Sequence, residues 1–160
     1  MDDQNQKPTE ASDLTNILPI SGGALGDLVE EILSNDTPFR FKATGDSMAP
    51  FIRHDDVVTI SPVSDCKPAI GRIAAVINPK NRHLVVHRII SKKDGSVLTK
   101  GDNSHEKTDG WINEAQVLGC VTAIERNHRA VRFGLGFERL ILAFLSKHRL
   151  LRRITRRLDD

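Results

Sequence analysis

The sequence predicts a mainly β domain with a short N-terminal helix and an amphipathic C-terminal helix. Three observations predict the β core and its helical ends. Between Phe39 and Glu125 apolar residues alternate with polar ones or form short β-branched runs. Turn residues interrupt these runs at short intervals. Helical apolar spacing occurs only before Ser34 and after Phe137.

The elements follow in order. Residues 1–20 mix Asp, Gln, Asn, Lys, Pro and Thr with little apolar content and read as a disordered arm. In Ser21 to Ser34, Leu25, Leu28, Val29, Ile32 and Leu33 recur at helical spacing, and Asn35-Asp36-Thr37-Pro38 ends the helix. Phe39, Phe41 and Ala43 alternate with Arg40, Lys42 and Thr44, which is strand period. A loop holds Gly45 to Pro50, and strands follow at Val57–Ile60, Arg72–Asn78 and His83–Ser91. Asp94-Gly95 marks a tight turn into a strand over Ser96–Lys100. Gly101 to Asn113 reads as a long polar loop, and Val117 to Glu125 as the closing strand. Phe137 to Leu158 is the best helix: Phe137, Leu140, Ile141, Phe144, Leu151 and Leu158 fall on one side and Arg149, Arg152, Arg153, Arg156 and Arg157 largely on the other. The expected organisation is a disordered arm over 1–20, one domain over 21–127 that holds the N-terminal helix and the chemistry, and a basic amphipathic C-terminal helix over 128–160.

Composition narrows the class. The 160 residues are 39% hydrophobic and 28% charged, enough for one domain with a working core. With six Phe, one Trp and no Tyr, that core is expected to be Val, Ile and Leu. A net charge of +2 says little, but Arg139 to Leu158 holds seven Lys or Arg and no acid. The apolar stripe of this segment either packs on the domain or meets an anionic membrane surface; nucleic-acid binding through its arginines is the weaker expectation. Cys66 and Cys120 stand apart in no paired motif, so they are expected as reduced, partly buried thiols, which favours a reducing compartment. Met1-Asp2-Asp3 opens no basic, apolar leader, and no apolar run reaches the ~18–20 residues of a spanning helix. The expected location is cytoplasmic or peripheral at a membrane.

Three segments carry chemistry. Gly45-Asp46-Ser47-Met48-Ala49-Pro50 places a serine between two β runs; Gly45 permits close backbone approach and Pro50 stiffens the exit. Alone it is an ordinary turn. Forty residues on, His87 lies in Leu84-Val85-Val86-His87-Arg88-Ile89-Ile90. An imidazole with an unperturbed pKa near ~6.5 can take a serine proton at neutral pH, although a lone strand histidine is more often simply packed. His83 shares its strand parity, but no carboxylate or thiol lies close in sequence to complete a metal site. The third segment is Thr99-Lys100-Gly101-Asp102-Asn103, with Asp109 seven residues beyond Asp102.

Together these segments resemble type I signal peptidases and the related self-cleaving SOS-type repressors. Ser47-Met48-Ala49-Pro50 running into Asp56-Val57-Val58 is similar to the S-M-x-P box, with Asp55 where that family has Gly. His87-Arg88 resembles the branch that uses His as base, and Lys100-Gly101-Asp102-Asn103 resembles the family's K-G-D-N box. Val117-Leu118-Gly119-Cys120-Val121 resembles its closing strand. The resemblance spans residues 38–125. It implies a serine endopeptidase that cleaves a leader or signal peptide through an acyl-enzyme, with no metal and no cofactor. It makes Ser47 the nucleophile and His87 the base. Asp109 is expected to orient the base, with Asp102 as the other candidate and holder of the loop. Gly45 and Ser47 are expected to shape a backbone oxyanion hole, and Met48 and Pro50 a substrate groove. Two other readings stand beside it: a repressor-like domain that cleaves itself or only dimerises, and a binding module that keeps the fold without activity. The first would need Lys in place of His87 and a helix-turn-helix that residues 1–38 are too short to supply.

Overall fold

Helix α1 (Gly22–Ser34) forms where the apolar spacing places it. Val29 and Leu33 are buried while Leu28, expected on the same stripe, faces solvent. The helix ends in a Schellman turn: Asp36 takes φ 53°, its N–H donates to the Leu33 carbonyl, and the Thr37 N–H donates to the Ile32 carbonyl. The molecule is seen here as a computed structural model that describes residues 22–78, 80–104, 108–148 and 150. The arm expected over 1–20 and the chain from 151 onward lie outside the described residues.

Eight strands follow: β1 (Phe39–Lys42), β2 (Val57–Pro62), β3 (Ile73–Ile77), β4 (Leu84–Lys93), β5 (Ser96–Lys100), β6 (Trp111–Asn113), β7 (Val117–Arg126) and β8 (Arg129–Ala130). All pair antiparallel in one curled half-barrel sheet of order β1-β2-β7-β3-β4-β5-β6, with β8 on β7. The fold is thus mainly β. The β4–β5 hairpin closes through Asp94 and Gly95, both at positive φ, as a two-residue turn of this hand requires. Strands β6 and β8 are additions to the expected set. β6 is three residues inside a polar loop, and the β7–β8 turn uses Asn127 and His128 at φ 51° and 60°, a pair with little turn signature.

Alternation on β3 sends Ile73 and Ala75 to one core cluster and Ala74 and Val76 to another. The first cluster joins β2, β3 and β7 to α1 and to Met48 and Ile52. The second is drawn entirely from strands, because the curl of the sheet brings β4, β5 and β6 over β3 and β7. As expected, aliphatic residues dominate both. Cys66 and Cys120 are free and buried, and burial pushes the Cys120 thiol up to about 12, which keeps it protonated and inert.

The buried Asp56 carboxylate receives two hydrogen bonds from the Arg126 guanidinium, at 2.8 and 2.7 Å, and one from the Arg53 N–H. Burial works against its charge, but these donors outweigh burial and hold the carboxyl below its ordinary value of 3.8. Stability from a depressed carboxyl is present above that ordinary value and is lost as pH falls through the folded one. Asp56→Asn should therefore cost about 1–3 kcal/mol at neutral pH. Thermal melts from neutral pH downward should show the gap between variant and parent closing below pH ~4.

Helix α2 (Arg139–Lys147) packs on β4 and around Phe51, but not by the expected stripe. Leu142, Ala143 and Ser146 are buried, while Leu140, Ile141 and Phe144 are exposed, as is Phe137 just before the helix. Small side chains at 143 and 146 permit close approach; at its end the Ser146 carbonyl accepts from the Lys100 ammonium at 3.1 Å. Of the two expected uses of this stripe, packing on the domain does not hold for Phe137, Leu140, Ile141 and Phe144. Of the 128–160 segment, 129–130 belongs to the sheet as β8 and the described helix spans 139–147.

Candidate active site

The serine loop leaves β1 and returns at β2, anchored on both sides of an exposed hydroxyl. Met48 is buried in the first core cluster beside Ile52, and Phe51 is buried against Leu142. Arg126 donates to the Pro50 and Phe51 carbonyls while it holds Asp56. Met48 thus serves as the loop's anchor, and Pro50 beside it is half-buried. The turn back to β2 places Asp55 at φ 70°, with its N–H donating to the Ala43 carbonyl. This left-handed position favours glycine, and Asp is among the few other residues that adopt it readily. The Asp that replaces the expected Gly therefore keeps the turn.

His87 lies on β4 opposite Ala74 of β3. Strand alternation sends its side chain to one face and Arg88 to the other. The His87 Nε2 lies 3.1 Å from Ser47 Oγ, and its Nδ1 lies 2.7 Å from Asp109 Oδ2. The same Asp109 oxygen accepts from Thr99 Oγ1 at 2.7 Å, and the Asp109 N–H donates to the Thr99 carbonyl. The carboxylate is thereby fixed on the edge of β5. An ionised Asp109 at Nδ1 selects the tautomer that carries its proton there, which leaves Nε2 as acceptor for the serine hydroxyl.

Asp102 is placed elsewhere. It is fully buried with Arg88, whose guanidinium donates to both its oxygens at 2.7–3.1 Å and also to the Gly71 and Gly134 carbonyls. The Arg88 guanidinium carbon sits 5.3 Å from the Phe51 ring centroid. Burial pushes the Asp102 carboxyl up, against the pull of Arg88. Asp109 thus meets the imidazole, and Asp102 ties the acid loop to β4 from the opposite face.

Two side chains complete the arrangement without having been singled out in the sequence. Asn103 donates its N–H to the Ser47 carbonyl at 2.8 Å and its side-chain amide to the Asp46 carbonyl at 3.1 Å, which clamps the serine loop to the acid loop. Thr99 orients Asp109. Both lie in the Thr99–Asn103 box, so that box was the signal; their roles needed the pairing of β4 with β5. Gly101 is there for lack of room. A Cβ at that position would stand 2.7 Å from the Ser47 carbonyl and 3.1 Å from His87 Nε2.

The Gly45 N–H donates to His54 Nδ1 at 3.4 Å, and its φ of 85° requires the freedom of glycine. Among the described residues the Ser47 N–H has no hydrogen-bond acceptor. His83 stands exposed just before β4.

Comparison with family models, with curated proteins and with solved structures gives no match.

Proposed function

We propose that the protein is a serine endopeptidase of the signal-peptidase type that uses Ser47, His87 and Asp109. The observation that carries this reading is the unbroken chain Ser47 Oγ–His87 Nε2 and His87 Nδ1–Asp109 Oδ2, at 3.1 and 2.7 Å, at a partly open surface. Nucleophile, base and orienter within hydrogen-bond reach form the constellation that activates a serine. In the reaction Ser47 Oγ attacks the scissile carbonyl while its proton passes to His87 Nε2. The imidazolium, stabilised by the Asp109 carboxylate, then protonates the leaving amine, and an acyl ester remains on Ser47. Water attacks that ester, gives its proton to His87, and returns the serine. The Ser47 N–H would hold the oxyanion with a neighbouring main-chain group. The resemblance adds the substrate class, a leader or signal peptide with small residues before the cut.

The test is labelling with a fluorophosphonate. A mass increase on the peptide that contains Ser47, in the full-length chain, is the expected result. Labelling at no serine, or at one other than Ser47, would sink the proposal. Incubation of the chain alone, followed by intact mass, separates cleavage of other chains from self-cleavage.

A further inference from the structure

We infer that the exposed apolar face of α2, extended by Phe137, docks on an anionic bilayer surface. The face is apolar where solvent should favour polar residues: Phe137 is 98% exposed, Ile141 63%, Phe144 59% and Leu140 56%. Scattered exposed apolar residues are ordinary, but three on one helix and a fourth just before it form a patch that calls for a partner. The domain does not cover it, because α2 already packs through Leu142, Ala143 and Ser146. The helix is not free to roll its stripe inward. Leu142 is held with Phe51, and the Ser146 carbonyl accepts from Lys100.

Charge decides the partner. From Arg126 to Leu158 the sequence carries ten Lys or Arg against the single acid Glu138. That one carboxylate is turned onto its own backbone, where it accepts from the Gly134 and Gly136 N–H groups. Arg129, Arg132 and Lys147 are exposed, and Arg152, Arg153, Arg156 and Arg157 follow α2 in sequence. Apolar side chains flanked by cations match an anionic interface, where the first enter the acyl boundary and the second meet the headgroups. A second copy of the chain would bring the same cations against each other. Among the described residues no helix is long and apolar enough to cross a bilayer, so α2 would lie in the interface. The inference stands independently of any chemistry at Ser47.

The test is co-sedimentation of the full chain with extruded vesicles of phosphatidylglycerol and phosphatidylcholine. Binding is expected, weakening on the order of tenfold or more as salt rises from about 0.05 to about 0.5 M. The triple variant Leu140→Ser, Ile141→Ser, Phe144→Ser should lose on the order of 100-fold or more in partitioning while its thermal unfolding stays near that of the parent. A second reporter needs no loss of apolar surface. Phe137→Trp in a Trp111→Phe background should shift its emission to the blue when vesicles are added. An unshifted spectrum, no co-sedimentation, or binding indifferent to the triple substitution overturns the inference. So does a dimer that the triple substitution dissolves while vesicle binding is unchanged.

Discussion

Ser47→Ala is expected to lower peptide hydrolysis by about 10⁴–10⁶-fold while the melting temperature scarcely moves. The hydroxyl is at the surface, and its hydrogen bond to His87 is the contact it gives up. The folded chain therefore loses little when it is removed, whereas the reaction loses its nucleophile. His87→Ala should cost a similar factor, and the double variant should be hardly worse than either single one. Groups that act in one proton-transfer step cannot be removed twice. Asp109→Asn should fall short of both, since the amide still fills the space but no longer stabilises the imidazolium or selects the Nδ1–H tautomer. Steady-state assays on a peptide with small residues before the cut would check all four. Losses that multiply in the double variant would mean that the two side chains act separately, contrary to the proposed mechanism.

Arg88→Met is expected to be the most destabilising single change, at about 3–5 kcal/mol, or roughly 10–15 °C in melting temperature. Arg88 and Asp102 are both fully buried, and the guanidinium also satisfies the Gly71 and Gly134 carbonyls. Methionine fills much of the volume but leaves a buried carboxylate and two carbonyls without that donor. Burial already raises the Asp102 carboxyl, and without the guanidinium the folded state would hold its proton to still higher pH. A carboxyl raised in the folded state binds protons that the unfolded chain has released, so stability falls as pH rises above the ordinary carboxylate value. Arg88→Met should therefore be closest to the parent in acid and furthest from it at neutral pH. Adding Asp102→Asn should flatten that dependence and recover part of the loss, since no buried charge then remains. Denaturant melts at several pH values decide it. An equal loss at every pH would show that the cost lies in packing rather than in the orphaned charge.

The two predictions meet at His87 and Arg88, adjacent residues on β4, and that adjacency shows how much of the protein could be read early. Period-two spacing sends His87 and Arg88 to opposite faces of β4, so a chemical role for one and a buried role for the other are consistent with local sequence. The preference for Asp109 over Asp102 rested on the resemblance alone, with both aspartates left as candidates. What could not be read was Thr99 as the donor that fixes Asp109, Asn103 as the clamp between two loops, or the crowding that demands Gly101. Each depends on which residue of β5 faces which residue of β4, and that register includes a bulge between Ile89 and Ser91. Strands β6 and β8 escaped for a related reason. Two or three residues carry too little periodicity to announce themselves, and pairing with a longer neighbour makes them strands.

The C-terminal helix marks the same boundary from the other side. Its amphipathic pattern named a helix, and the structure places one over Arg139–Lys147, yet the face that packs is Leu142, Ala143 and Ser146. Hydrophobicity says which side chains leave water most favourably, whereas close packing selects those small enough to fit the surface that is present. By itself the sequence determined the mainly β class, the main strands and the residue types able to carry out acyl transfer, because backbone period and side-chain chemistry are local properties. Only the tertiary structure decided that residues 40 and 22 positions apart stand at 3.1 and 2.7 Å, and which face of α2 remains in water. Those are distances between segments, set by the curl and register of a sheet whose contacts are mostly remote along the chain.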